Sequence, residues 1–233
     1  MKQKTTILPI AAVVSGGVLM ALRTWLYAAA LDEKNLLLAG HPISYGIWLV
    51  AALCLALSLA AALGSPKTGA VPAHTPVAAG GDLLLALVMG VFVCTMVEST
   101  TLVQKLCFAL GALSIPALGY AAFCRWKGKP VFFGCFAVVC VFFALFLVAN
   151  YQTWSSNPQL QDYVFAMLTC VSVALVAYQN AAFCVDGGNE TLWRAVGMLA
   201  VCFGIAAVAQ SRQGLLYGGI ALWALTGLLP QKE

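Results

Sequence analysis

Ionisable side chains are scarce in this chain, so the few that touch an apolar run are the first places to look for chemistry. Arg23 follows the apolar core that begins at Ile7, and Glu98 ends the run that stops at Val97, beside Ser99, Thr100 and Thr101. If their two helices adjoin, arginine and carboxylate could pair across a polar mouth. If not, each reaches the interface alone, Arg23 by snorkelling to the headgroups. Asp162, Arg212 and the charged segment from Leu31 to Pro42 fall on the same expected side, where a vestibule for a polar or aromatic ligand could form. In the run from Tyr163 to Cys184, Thr169, Ser172 and Gln179 share roughly one helical face, with Asn180 adjacent. Such a stripe either lines a solute path or bonds to neighbouring helices. Because hydroxyls can bond their own backbone, the second reading is favoured.

Templates for catalysis are missing. The chain contains no HExxH, no GxSxG, no P-loop lysine motif and no paired carboxylates within an apolar run. His41 and His74 lie in connectors expected on opposite sides of a membrane. Of nine cysteines, none forms a CxxC and none pairs with histidine at metal-ligand spacing, so they read as small polarizable packing residues. The expectation is therefore no catalytic residue, no metal, no cofactor and no enzyme. A net charge of +4, scattered along the chain, argues against nucleic acid as a partner.

The elements that must position these residues are apolar helices. Hydrophobic residues make up 62% and charged residues 9% of the 233, with mean hydropathy +0.94. Soluble domains carry about 25% charged residues, so this chain reads as an all-α, polytopic transmembrane bundle in a lipid bilayer. Spans are expected near 7–27, 45–63, 80–97, 106–123, 131–149, 163–184, 196–210 and 215–229, within one integral membrane domain covering 1–233. The third is read from Leu83 and extended back toward Val77; Pro116 should kink the fourth. The last two are short, and eight spans is preferred to seven because Arg212 between two glutamines would be costly at mid-bilayer. The first span resembles a signal peptide, but Arg23, Trp25 and Tyr27 separate its core from the small residues Ala28 to Ala30, so it is read as a retained helix.

With eight spans and an internal N-terminus, eight lysines and arginines lie inside and four outside, so both termini should face the cytoplasm of a cell whose plasma membrane holds the protein. Trp and Tyr gather near the two interfaces on the same assumption. That topology also places the Asn189-Glu190-Thr191 glycosylation acceptor inside, where it would be unused.

Small residues at helical spacing should mark helix contacts. They include Ala12 and Gly16, the ridge Ala52, Ala56, Ala60 and Gly64, the set Ala166, Cys170 and Ala174, and Ala200 with Gly204. In the fifth span, Gly134, Ala137, Cys140 and Ala144 should meet neighbours while Phe132, Phe136, Phe143 and Phe146 meet lipid. Ala-Ala-Phe-Cys occurs at 121–124 and 181–184, a faint hint of duplication. Two functions suit the whole. A small carrier or solute-binding subunit would have an outer mouth near Arg23, Glu98 and Asp162 and a path along Thr169, Ser172 and Gln179. An accessory, assembly or sensory component would be tightly filled, would join a protein partner or itself through small-residue faces, and would leave such a ridge toward lipid.

Overall fold

The computed structural model describes residues 2–30, 41–64, 75–95, 101–154, 163–209 and 213–229, with side chains from residue 9 in the first segment and up to 152 in the fourth. They form eight helices and no strand among the described residues: α1 (Lys2–Ala29), α2 (Pro42–Leu63), α3 (Pro76–Thr95), α4 (Leu102–Trp126), α5 (Phe133–Trp154), α6 (Val164–Phe183), α7 (Glu190–Val208) and α8 (Gly214–Leu228). Seven are long and apolar enough to cross a bilayer, and α8 is an apolar helix of 15 residues. At about 1.5 Å per residue α8 spans only about 22 Å, short of the ~30 Å hydrocarbon core.

Local chemistry sets the helix ends. The His41 side chain accepts from the Ile43 N–H at the start of α2, where Pro42 occupies the first helical position. Thr101 and Gln104 form a reciprocal capping box at the start of α4. Asn189 caps α7 by accepting from the Leu192 N–H, which gives the glycosylation-like tripeptide a structural role. The helix α4 continues through Pro116 to Trp126. It stops at Gly128, whose φ of 64° lets Lys129 N–H reach Cys124 C=O and Gly128 N–H reach Arg125 C=O, a Schellman closure. Asp186, at φ 57°, closes α6 in the same way through Gly187 N–H to Ala182 C=O. The two Ala-Ala-Phe-Cys copies thus meet their caps at different offsets, so the likeness does not extend beyond the four residues.

Packing follows a closed circuit. Each of α3 to α8 packs on the next, and α8 returns to α3; α1 and α2 lie outside this six-helix ring against α7. Burial agrees: 61% of the most apolar window of α7 is inside, against 22% for α1 and 28% for α2. Close approach is made by small residues, as the sequence suggests. A Cβ on Gly16 would lie 2.9 Å from Cys202 O, and one on Gly204 would lie 3.0 Å from the Ala221 Cβ. Gly16 and Arg23 of α1 meet Cys202 and Ala206 of α7 in order, so these two helices run parallel.

Two packing expectations are corrected. In α5 the rings of Phe136, Phe142, Phe143 and Phe146 are buried, Ala144 is exposed, and Gly134, Ala137 and Cys140 are half-buried. A ring of six helices encloses more volume than alanines can fill, and the phenylalanines fill it. Phe146 meets Phe92 edge-on at 5.2 Å, and Val93 and the Phe142 ring together leave room only for hydrogen at Gly111. No residue of the expected small face is fully inside, and of the rings expected toward lipid only Phe132 is exposed. On α2 the buried line is Ile47, Ala51, Cys54, Ser58 and Ala62, while Ala52, Ala56, Ala60 and Gly64 are exposed.

Substituting Gly16 with valine should therefore destabilise the protein by about 1–3 kcal/mol, because a backbone carbonyl cannot move aside. Gly17→Val, with nothing within 4 Å, should be near neutral. Unfolding midpoints of the two purified variants in detergent check this; equal loss in both would refute the α1–α7 contact.

Candidate functional site

One end of the ring is held by an ion pair inside the protein. Helix α3 starts early because Thr75 Oγ1 accepts from the Ala78 N–H and Pro76 suits a first helical turn. Asp82 consequently lies in the second turn of a spanning helix and is 0% exposed. Arg125 lies in the last turn of α4, fixed there by the Schellman closure. Its Nη1 donates to Asp82 Oδ1 at 3.1 Å and to Oδ2 at 3.0 Å. From α8 the Trp223 indole N–H donates to Asp82 Oδ1 at 2.8 Å, and the Phe136 ring of α5 lies 4.8 Å beneath the guanidinium carbon. Four helices therefore converge on one carboxylate and one guanidinium. An arginine in the last turn of a helix also suits the local helix dipole.

Alongside, α6 and α7 supply neutral polar groups. Gln179 Oε1 accepts from the Asn189 N–H at 2.9 Å, and Asn180 Oδ1 accepts from the Trp193 indole at 3.1 Å. A void of ≈ 10 Å³ separates Asn180 and Trp193 from Arg125 and Trp223, enough for about one water. On the rim, Arg194 and Glu190 form an i,i+4 pair along α7. Among the described residues no buried side-chain nitrogen or oxygen lacks a partner.

The opposite end of the ring is open. Helices α3 and α8 touch where a Cβ on Gly81 would strike Thr226, and again where one on Gly219 would lie 2.8 Å from Val88. Beyond Val88 they part, leaving a cleft of ≈ 450 Å³ that reaches to α4 and α5. Val88, Phe92, Phe146 and Leu216 form its apolar floor and wall, and Thr95, Gln104, Asn150 and Gln213 bring hydroxyl and amide groups. Several of these are oriented locally: Thr95 donates to Phe92 C=O, Asn150 donates to Phe146 C=O, and Gln213 accepts from the Tyr217 hydroxyl.

The residues singled out by sequence fall elsewhere. Arg23 turns inward instead of snorkelling: it is 5% exposed, donates to the Ala206 carbonyl at 2.7 Å and stacks over the Phe165 ring at 5.0 Å. Ala206 lies in the last turn of α7, whose carbonyls have no helical partner, and the arginine supplies one. Thr169 donates to the Phe165 carbonyl of its own helix, Ser172 is buried, and Gln179 holds the α6–α7 turn. The polar stripe of α6 therefore faces neighbours, and none of these four residues lines the cleft. Glu98, Asp162, Arg212 and His74 lie outside the described residues.

Sequence reasoning counted Arg125 as a connector charge and passed over Asp82, although the expected span 80–97 contains it. The available signal was that span itself, which, extended back toward Val77 as the sequence allows, places a carboxylate well inside it. No protein-family model, curated protein or solved structure matches the chain.

Asp82→Asn alone should cost about 3–5 kcal/mol, because it leaves the guanidinium buried without a counter-charge. The double substitution Asp82→Leu with Arg125→Met should recover most of that loss. Detergent unfolding of both proteins decides; additive losses in the double variant would show that the two side chains do not act as a pair.

Proposed function

We propose that this multi-pass membrane protein is a small carrier, open at one end and latched at the other. The observation that carries the reading is the asymmetry of the ring: a ≈ 450 Å³ cleft between the parted ends of α3 and α8, and a buried Asp82–Arg125–Trp223 cluster at their joined ends. Carriers bind solute part-way across the bilayer and expose it to one side at a time. An ion pair shared by several helices suits a latch, since its partners separate only when the helices do. The cleft extends from Thr95 to Val88, about 10 Å of helix, which brings a bound solute well below the interface. The excess of lysine and arginine would put the latched end, and both chain termini, in the cytoplasm of a plasma-membrane protein, with the cleft facing out. The uncharged lining of the cleft suits binding and release rather than catalysis.

A second reading is favoured by one feature. The Ala52, Ala56, Ala60 and Gly64 ridge of α2 is exposed, as expected for an accessory subunit that docks a partner helix.

Thiol accessibility in a cysteine-free background separates the two. Asn150→Cys should react with a membrane-impermeant maleimide from outside, and Ala224→Cys from neither side. Adding Arg125→Gln should make Ala224→Cys reactive from inside several-fold faster and slow Asn150→Cys by a similar factor. If opening the latch leaves Asn150→Cys unchanged, the two ends are not coupled and the accessory reading stands instead.

A further inference from the structure

From the shape and chemistry of the cleft, we propose that it binds an uncharged amphipathic lipid, with hydroxyl or carbonyl groups at one end and an aliphatic body, entering sideways from the bilayer. The inference deepens the carrier reading and rests on it for the fate of the ligand after binding.

The entry route follows from how α3 and α8 meet. Their contacts at Gly81 with Thr226 and at Gly219 with Val88 leave no room for a side chain, so the helices are held together along that length. Past Val88 no such glycine contact joins them among the described residues, and Val91 and Leu215 line the cleft from either helix, which makes them its lips. Both are large, aliphatic and well exposed, at 54% and 62%. Both belong to apolar helices, so the opening between them faces hydrocarbon along the side of the bundle and not only the aqueous end.

The lining sets the chemistry of the occupant. Thr95, Gln104, Asn150 and Gln213 offer hydroxyl and amide groups, and no charged side chain borders the cleft among the described residues. Among the described residues nothing offers a counter-charge to an anionic or cationic headgroup, whose desolvation costs several kcal/mol. Hydroxyl and carbonyl groups, by contrast, can exchange water for amides at little net cost. Deeper in, Phe92, Phe146 and Leu216 present apolar surface to an aliphatic chain. The volume falls within the ~300–1,000 Å³ range of small-molecule sites, enough for a polar head and the first part of a chain whose remainder leaves through the lips.

The test uses the full-length protein in phosphatidylcholine nanodiscs with a photoactivatable diazirine diacylglycerol as probe. Cross-links should concentrate on residues 88–95 and 215–216 and fall several-fold with excess dioleoylglycerol. Val91→Trp should abolish them by filling the gap, whereas Leu222→Trp, exposed on α8 away from the cleft, should leave them intact. Leu215→Trp, from the opposite lip, should repeat the loss, so that a folding defect in one variant does not decide the result. A diazirine phosphatidylglycerol with the same chains should mark exposed positions of α2 and spare the cleft. Equal patterns from the neutral and anionic probes, or cleft labelling that survives both lip variants, would overturn the proposal. Cleft labelling without coupled thiol accessibility would remove the carrier but keep the lipid site. Coupled accessibility without labelling would do the reverse.

Discussion

A carboxylate removed from water must be met by partners, and most of this architecture follows from how Asp82 is met. Its two oxygens receive three hydrogen bonds, two from Arg125 of α4 and one from Trp223 of α8. The rest of the guanidinium is covered by the Phe136 ring of α5. In a low-dielectric interior an unmet charge costs several kcal/mol, so these four helices cannot drift apart at that end without exposing the pair or replacing it with water. The cluster thereby fixes both the neighbours of α3 and the order of the ring. It also explains why α8, too short to span comfortably by length alone, sits where it does: Trp223 is one full turn from its last residues and reaches the carboxylate only if the C-terminal half of α8 is seated against Asp82.

Arg23 obeys the same rule with a different partner. Its guanidinium donates to the carbonyl of Ala206 and lies over the face of Phe165. The last carbonyls of a helix carry partial negative charge and need donors, so α1 completes α7 and α7 makes the arginine tolerable. Helix α1 is thereby fastened twice to α7, by charge near its end and by the absence of a side chain at Gly16. Its place outside the ring reflects those two contacts.

The bilayer character, the eight helices and the α7–α8 hairpin were all legible in composition and in the spacing of breakers such as Gly64 and the Gln210–Gly214 segment. Small-residue pairs at Gly16 and Gly204 were also legible, because a helix backbone can approach another only where the side chain is missing. What sequence could not supply was direction around each helix. In α5, rings and small residues alternate on opposite faces, and only the width of the enclosed space decides which face turns inward. The same gap hid the site. Asp82 sits seven residues into α3, inside the expected span 80–97, but nothing beside it in the sequence names Arg125 and Trp223 as its partners. Arg125 lies next to Lys127 and Lys129 and shares their appearance; only the Gly128 closure shows that it belongs to the helix.

The asymmetry between the two ends has one origin. Along the contact between α3 and α8, glycines alternate sides: Gly81 yields to Thr226, and Gly219 yields to Val88. Each permits an approach that a methyl group would block, and the ion pair lies among them. Toward the other end the facing residues are Val91, Thr95 and Leu215, none of which allows backbones to meet, so the two helices must diverge. A cleft is thus the geometric remainder of a seam that is tight on one half only. Closing it would require either a rotation of α8 about the Gly219 contact or an occupant. Rotation about that point would swing Trp223 away from Asp82, because Leu215 at the cleft and Trp223 at the ion pair lie on opposite sides of Gly219 in the same helix. The walls of the cleft and the ion pair are thus joined through a single helix, α8.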